Sequence, residues 1–404
     1  MKLFKIAYKN IFRNKRRTIL SAVAVAVATL TIVFLFALIE GMRVDMENNL
    51  INYISGDIKI EDRRWEKEKK VYPLHWNLDW PTLKDKLEKI DEISSFVPRI
   101  NFPSSIYINE KNYPALALGL DFELEKTYQD LNQIVVSGRL PKNDQREIII
   151  GYQLAQDLNI KEGDRITTLA QTANRGSNAI SFTVVGLANF PITSMNSTSF
   201  LAPLSEVQYF LKMDQNVQQI LIKYEGNRVK GASLIDKTLE DENLTISELG
   251  KDDYIYSMMK VVSYSYYLIA LFFFILASTV IANTTMMAVF ERMQEIGTLR
   301  ALGAYKKEIT TLFLYEALIS NTFGAVVGSI LGTVISLIFA KVGINFTDAM
   351  SGVEMNIGSI IYPHLHFMNP ILVALYAIVI TSLATLIPSR KGGKIEIVEA
   401  MKYV

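Results

Sequence analysis

The sequence predicts a membrane α-helical protein with four transmembrane helices and a large α+β domain inserted between the first and the second. Three observations predict it. Half of the 404 residues are hydrophobic, more than an ordinary soluble enzyme carries. Four runs are long and nearly uncharged, as a bilayer core requires. The stretch between the first and second runs instead alternates short apolar and polar segments.

Taken in order, residues 1–18 hold Lys2, Lys5, Lys9, Arg13, Lys15, Arg16 and Arg17 without an acid, and helix 1 follows over 19–41. A cleaved signal peptide would have a shorter apolar region closed by a small-residue site; the apolar run to Ile39 argues for a retained anchor. In the domain at 42–258, "GDIKIED", "REIIIG" and "SFTVVGLANF" read as strands, and "WPTLKDKLEKIDEI" and "SEVQYFLK" as helices. Helix 2 is expected at 261–290, a short loop at 291–308, helix 3 at 309–340, a second outer loop at 341–369, helix 4 at 370–388 and a tail at 389–404. Basic residues concentrate on the cytoplasmic side of short flanks. The N-terminal cluster and the tail residues Arg390, Lys391 and Lys394 therefore put both termini in the cytoplasm and the large domain outside.

The loop at 291–308 reads "ERMQEIGTLRALGAYKKE". Met293, Ile296, Leu299 and Leu302 recur at three-residue steps, with Glu291, Arg292, Glu295 and Arg300 on the other faces. This pattern predicts a short amphipathic helix ended by Gly303 as a left-handed cap. A helix lying on lipid headgroups would carry a Lys/Arg-rich polar face; this mixed one points to a cytoplasmic protein partner. In helix 3, Gly324, Gly328, Gly332, Ser336 and Ala340 fall at four-residue steps, a spacing that lets helix backbones approach closely, within the chain or across a dimer. Glu316 lies near the start of the same helix and is expected to snorkel or to pair with Arg300 or Lys307.

Other chemistries are excluded or unsupported. The chain has no cysteine, hence no disulfide, thiolate metal site or lipidated cysteine. No G-x-x-x-x-G-K-[ST] loop is present, so a nucleotide must be bound elsewhere. His364 and His366 lack the H-E-x-x-H context and read as loop-surface residues, so no metal site is expected. No G-x-S-x-G supports a nucleophile. The net charge of +1 and the absence of aromatics among the basic runs speak against nucleic acid, and "NIFRNKRRT" is accounted for by topology and anionic lipid.

"ERMQEIGTLRALGA" resembles the coupling-helix segment of permeases in the FtsX, MacB and LolC/LolE superfamily. "IAYKNIFRNKRRTILSAVAVAVA" is similar to the family's entry into its first helix. "VVSGRLPKNDQREIIIGYQLAQDLNIKEGDRI" and "FTVVGLANFPITSMNSTSFLAPLSEVQYFL" resemble its extracytoplasmic core, and "PSRKGGKIEIVEAMKY" its C-terminal tail. The resemblance implies an ABC transporter permease of the bacterial inner membrane with a MacB-like periplasmic core. Glu291, Arg292, Glu295, Ile296, Gly297, Leu299, Arg300, Ala301 and Gly303 would then dock on an ATPase dimer, which binds ATP and Mg while this chain binds no cofactor. The short segment before helix 1 favours a separate ATPase subunit, as in the LolC/LolE and FtsX kinds, over the fused one of MacB. A second permease, identical or paralogous, membrane lipid and a periplasmic lipoprotein carrier complete the implied partners.

The spans offer few polar positions for a pore, so the resemblance implies mechanotransmission: ATPase closure moves the coupling helix and the outer domain changes shape. "LALGLDFELEKTYQDLNQIVVSGRLP" most resembles LolC/LolE, which puts release of lipoproteins toward the outer membrane first. Phe34, Phe36, Ile39 and Met42 with Met258, Val261, Val262 and Tyr266 would face the acyl chains by analogy, or plain lipid. The carrier-capturing hairpin of LolC-like permeases is not identified in this sequence. MacB-like export of peptides, drugs or lipids, and FtsX-like activation of a cell-wall hydrolase, are the alternative readings.

Overall fold

The structure is a computed structural model and describes residues 2–13, 15–67, 73–108, 110–249, 254–346 and 360–394. Two helices open the chain, α1 (Lys2–Arg13) and α2 (Lys15–Asn49), the second prolonged by a π-helical turn over Leu50–Ser55. The domain follows as β1 (Ile58–Asp62), α3 (Trp80–Leu87), β2 (Ile93–Ile108), β3 (Lys111–Leu120), α4 (Phe122–Tyr128), β4 (Val135–Gly138), β5 (Glu147–Gly151), α5 (Tyr152–Asp157), β6 (Arg165–Gln171), β7 (Ser177–Ala188), α6 (Thr193–Thr198), β8 (Ser199–Pro203), α7 (Leu204–Leu211), β9 (Gln219–Tyr224), α8 (Arg228–Leu239) and β10 (Leu244–Glu248). Then come α9 (Tyr254–Glu291), α10 (Met293–Ala301), α11 (Lys306–Val342), the short pair β11 (Ile344–Asn345) and β12 (Ile360–Ile361), α12 (Met368–Ala384) and α13 (Leu386–Lys394).

Four helical segments among the described residues are long and apolar enough to cross a membrane: Thr18–Ser55, Tyr267–Glu291, Lys306–Val342 and Met368–Lys394. The chain divides into a helical unit (Met1–Val44, Met258–Asn345 and Ile360–Val404) and a second unit (Asp45–Ser257 and Phe346–Ser359). The fold class expected from hydropathy is the one observed. The outer loop expected at 341–369 is described only up to residue 346 and from 360 onward, and residues 395–404 of the tail lie outside the described residues.

In the helical unit, Val25, Ile32 and Val33 of α2, Ile281 of α9, Ala325 of α11 and Val373 and Ala377 of α12 form one buried cluster. The small residues of α11 supply its close contacts. A Cβ added at Gly324 would overlap the Ala22 carbonyl oxygen, and one at Gly328 the Ala26 carbonyl oxygen. At Gly332 it would lie 2.9 Å from Val33 Cβ. Ser336 is fully buried and bonds back to the Gly332 carbonyl at 2.7 Å, while Ala340 is half-buried. The stripe thus packs on α2 of the same chain, where close backbone approach gains van der Waals contact.

In the second unit, a sheet runs β10-β1-β9-β2-β3-β8-β5-β7-β4, with β6 bridging β2 and β7. Its neighbours are antiparallel except β3 with β8 and β5 with β7. The "SFTVVGLANF" segment shows why it is a strand: Phe182, Val184, Gly186 and Ala188 are buried with half-buried residues between them, the period-2 signature of a covered face. The helix at "WPTLKDKLEKIDEI" starts where Asp79 accepts from Thr82 N and Oγ1, with a proline in its first turn.

Arg99 and Glu125 form a forked pair inside this unit, 2.9 and 3.0 Å, both shielded from solvent. Next to it Tyr128 donates from its hydroxyl to the Ile51 carbonyl at 2.6 Å, fastening the turn after α2 to α4. Burial pushes the Tyr128 phenol up. Burial pushes Lys223 down; its Nζ sits 4.6 Å over the Tyr128 ring and donates to the Tyr128 carbonyl. A second fastening joins α8 to the end of α2: Arg228 reaches Glu47 at 2.9 Å and Asp57 at 2.7 Å.

Candidate coupling site at the α9–α11 corner

The corner is built from one helix that stops and another that starts. α9 ends at Glu291, and Arg292 takes a non-helical conformation before α10 begins at Met293. At the far end of α10 the chain closes as the sequence predicts. Gly303 has φ +97°; its N–H donates to Arg300 O at 3.1 Å and the N–H of Ala304 to Leu299 O at 3.0 Å. These two crossed bonds are a Schellman cap, which needs a left-handed residue after the helix. α11 then starts with Tyr305 N bonded to Glu308 Oε2 at 2.8 Å, reciprocal capping at its first turn.

The burial pattern of α10 corrects the three-residue reading. Met293, Ile296 and Gly297 are buried, and Ile296 joins Ala288, Val289, Ile309 and Phe313 in a cluster. Leu299 is exposed, and Leu302 (80 %) and Tyr305 (76 %) stand out in solvent. At 3.6 residues per turn, three-residue steps drift around the helix, so after nine residues Leu302 lies on the face opposite Met293. Of the residues expected to meet a partner, Ile296 and Gly297 thus face inward, whereas Glu291, Glu295, Leu299, Ala301 and Gly303 are exposed and Arg300 is half-buried.

Arg292 also departs from expectation: it is 6 % exposed instead of standing on a polar outer face. Its guanidinium donates to both Glu316 oxygens at 2.8 and 3.0 Å. This pair helps an acid to be tolerated inside α11, and among the described residues it is Arg292, not the expected Arg300 or Lys307, that is ion-paired with it. Arg300 instead donates to the Gly393 carbonyl at 2.9 Å, tying α10 to α13, whose glycines let it lie against Val289 and Thr310.

Sequence reasoning missed the part that α1 plays here. Asn10 Nδ2 donates to Glu316 Oε1 at 2.7 Å, and Arg13 reaches Glu295 at 2.6 Å. The available signal was the spacing of Ala7 and Asn10, three residues apart and hence on one face of a helix whose only charges are basic. Above Glu316 a cavity of ≈ 30 Å³, large enough for a water, is lined by Thr18, Ser21, Thr284, Ser320 and Asn321 among others. The spans are therefore more polar inside than hydropathy suggested, but this volume is a pocket and not a passage.

Along the spans, Phe34 stacks edge-on against Phe339 at 5.8 Å and Phe36 lies 5.6 Å from Tyr267. Ile39 and Met42 are half-buried and Val261 is 65 % exposed. The side chains of Met258, Val262 and Tyr266 lie outside the described residues. Among the described residues α9 is the least covered span: 7 % of its most apolar stretch is buried, against 28–33 % in the others. His364 and His366 are exposed, and among the described residues no three acidic or histidine side chains gather as a metal site would need.

Comparison with known proteins places both units. The family of FtsX-like permease C-terminal segments matches residues 267–397, and the MacB-like periplasmic core domain matches residues 18–232. An ABC transporter permease of Methanocaldococcus jannaschii is 23 % identical over 99 % of this chain and 97 % of its own length. The lipoprotein-releasing system transmembrane protein LolC of Buchnera aphidicola is 25 % identical, covering 93 % of this chain and 90 % of its own. LolE of Haemophilus influenzae, named for the same system, is 21 % identical over 78 % of this chain and 79 % of its own.

Proposed function

This chain belongs to the ABC transporter permeases of the LolC/LolE, MacB and FtsX family, and we propose that it is the permease subunit of a complex that releases lipoproteins from the inner membrane toward the outer membrane. The observation that carries the coupling half of this reading is the exposed tip formed by Leu299, Leu302 and Tyr305. Apolar side chains held out by a capped helix, on a base fixed by Arg292–Glu316, suit a groove on a cytoplasmic ATPase that binds ATP and Mg. The lipoprotein half is supported by relatives named as lipoprotein-releasing proteins over most of their length.

In this reading both termini and α10 are cytoplasmic and the sheet domain is periplasmic, as the basic flanks require. ATPase closure displaces α10, the bundle carries the displacement, and α2 passes it outward. The bonds of Glu47 to Arg228 and of the Ile51 carbonyl to Tyr128, which hold the last turn of α2 within the second unit, support α2 as the transmitting element in this reading. The bare surface of α9 suits a second permease, identical or paralogous, with the acyl chains of the cargo between them along Phe34, Phe36, Ile39, Met42 and Val261. A periplasmic carrier would receive the cargo.

Depletion tests the substrate. Triacylated lipoproteins are expected to stay in the inner membrane; if they reach the outer membrane while sensitivity to drugs or peptides rises, MacB-like export replaces this reading. That second reading is favoured by the match to the MacB-like core itself. A cell-wall defect with normal lipoprotein sorting would instead indicate FtsX-like hydrolase activation.

A further inference from the structure

An open groove of ≈ 540 Å³ runs along the outside of the helical unit between α1, α2 and α11. Its walls are apolar, with exposed Phe12, Ile19 and Val23 on one side and Phe323 on the other. Lys15 and Tyr8 stand at its α1 end. The opposite end closes near Ala26 and Val327, where Gly328 brings the α11 backbone onto the Ala26 carbonyl.

Two quantities select the occupant. From Lys15 to Ala26 an α-helix rises about 16 Å at 1.5 Å per residue, half of a hydrocarbon core about 30 Å thick. The groove is therefore one leaflet deep, suited to an acyl chain, whereas a helix of another subunit would need it to continue across the bilayer. The charge at its mouth is uncompensated. Lys15 and Arg16 are exposed, no acidic residue precedes Glu40 in the sequence, and among the described residues Lys15 has no ion pair, whereas Arg13 is paired with Glu295.

We propose that this groove is a binding site for one anionic phospholipid from the leaflet on the α1 side, its phosphate at Lys15 and an acyl chain between α2 and α11. The inference depends on the four spans and on no reading of substrate or ATPase. A lipid seated there packs against α1, which also supports Glu316 through Asn10, so leaflet composition would bear on the coupling corner.

The test uses the full chain carrying Phe323→Trp in phosphatidylcholine vesicles with a small fixed fraction of brominated phosphatidylglycerol or brominated phosphatidylcholine, subtracting the fluorescence of the chain without the new tryptophan. Brominated phosphatidylglycerol is expected to quench with about fivefold higher apparent affinity, the preference one lysine at a surface supplies. Lys15→Gln is expected to abolish the difference while leaving quenching by brominated phosphatidylcholine unchanged. Equal quenching by the two lipids in the parent chain overturns the proposal, as does protection from both together with an intermolecular cross-link through Ile19→Cys, which would assign the groove to a second copy. Should Phe323→Trp not fold, Ile19→Trp reports from the opposite wall.

Discussion

Arg292 and Glu316 sit where an uncompensated charge is costly, each about as shielded as a core residue. Removing one partner of a buried pair typically costs about 3–5 kcal/mol, whereas replacing both with apolar groups can be near neutral; without Glu316 the nearest acid described against Arg292 is the half-exposed Glu295 at 3.5 Å. Glu316→Ala is therefore expected to lower the melting temperature of the detergent-solubilised chain sharply, and the double change Arg292→Met with Glu316→Leu much less. Equal losses would show that packing, not charge, fixes the corner. In the outer domain the Arg139 guanidinium, bonded to Glu147 and joined by the Lys142 N–H, holds the Glu147 carboxyl below the usual carboxylate range. A carboxyl with a lowered folded value contributes stability that is complete above its unfolded value and lost as pH falls through the folded one. Hydrogen-exchange protection in β5, taken relative to the intrinsic exchange rate at each pH, is accordingly expected to fall on acidification below the ordinary carboxylate range in the parent, and Glu147→Gln to flatten that part of the profile.

Among the elements, α10 and α11 show how far the sequence could be read. The cap at Gly303 was legible because only a left-handed residue completes that pair of crossed bonds, and the small-residue stripe was legible because its four-residue spacing has few uses in lipid. Which helix the stripe meets was not legible: spacing defines a face, and only the fold puts α2 against it. The same gap hid the partner of Glu316, since Arg292 lies in a break between helices where periodicity says nothing, and Asn10 comes from 306 residues away in sequence. Gly328→Leu is expected to separate α2 from α11 and to destabilise by about 1–3 kcal/mol or more, as overpacking does, measurable as lost cross-linking between cysteines placed on the two helices. Unchanged cross-linking would mean that the helices pack elsewhere.

The whole molecule was the most readable level, because hydropathy reports long apolar helices directly, and alternation marked strands such as β7 even though it could not order a sheet with two parallel pairs. What that reading lacked was the pairing, inside the second unit, of Glu47 with Arg228 and of the Ile51 carbonyl with Tyr128. Arg228→Ala with Tyr128→Phe is expected to leave ATP hydrolysis by the assembled complex intact while lowering release of cargo; equal losses of both would place these residues in assembly instead. The central claim, that the α10 tip couples an ATPase to this chain, is tested most directly by the substrate-stimulated ATPase rate of the purified, reconstituted complex with Leu302→Asp. The solvent-exposed substitution is expected to leave the permease folded and in the membrane but to abolish stimulation and weaken retention of the ATPase. Full stimulation with the ATPase still bound would contradict the assignment.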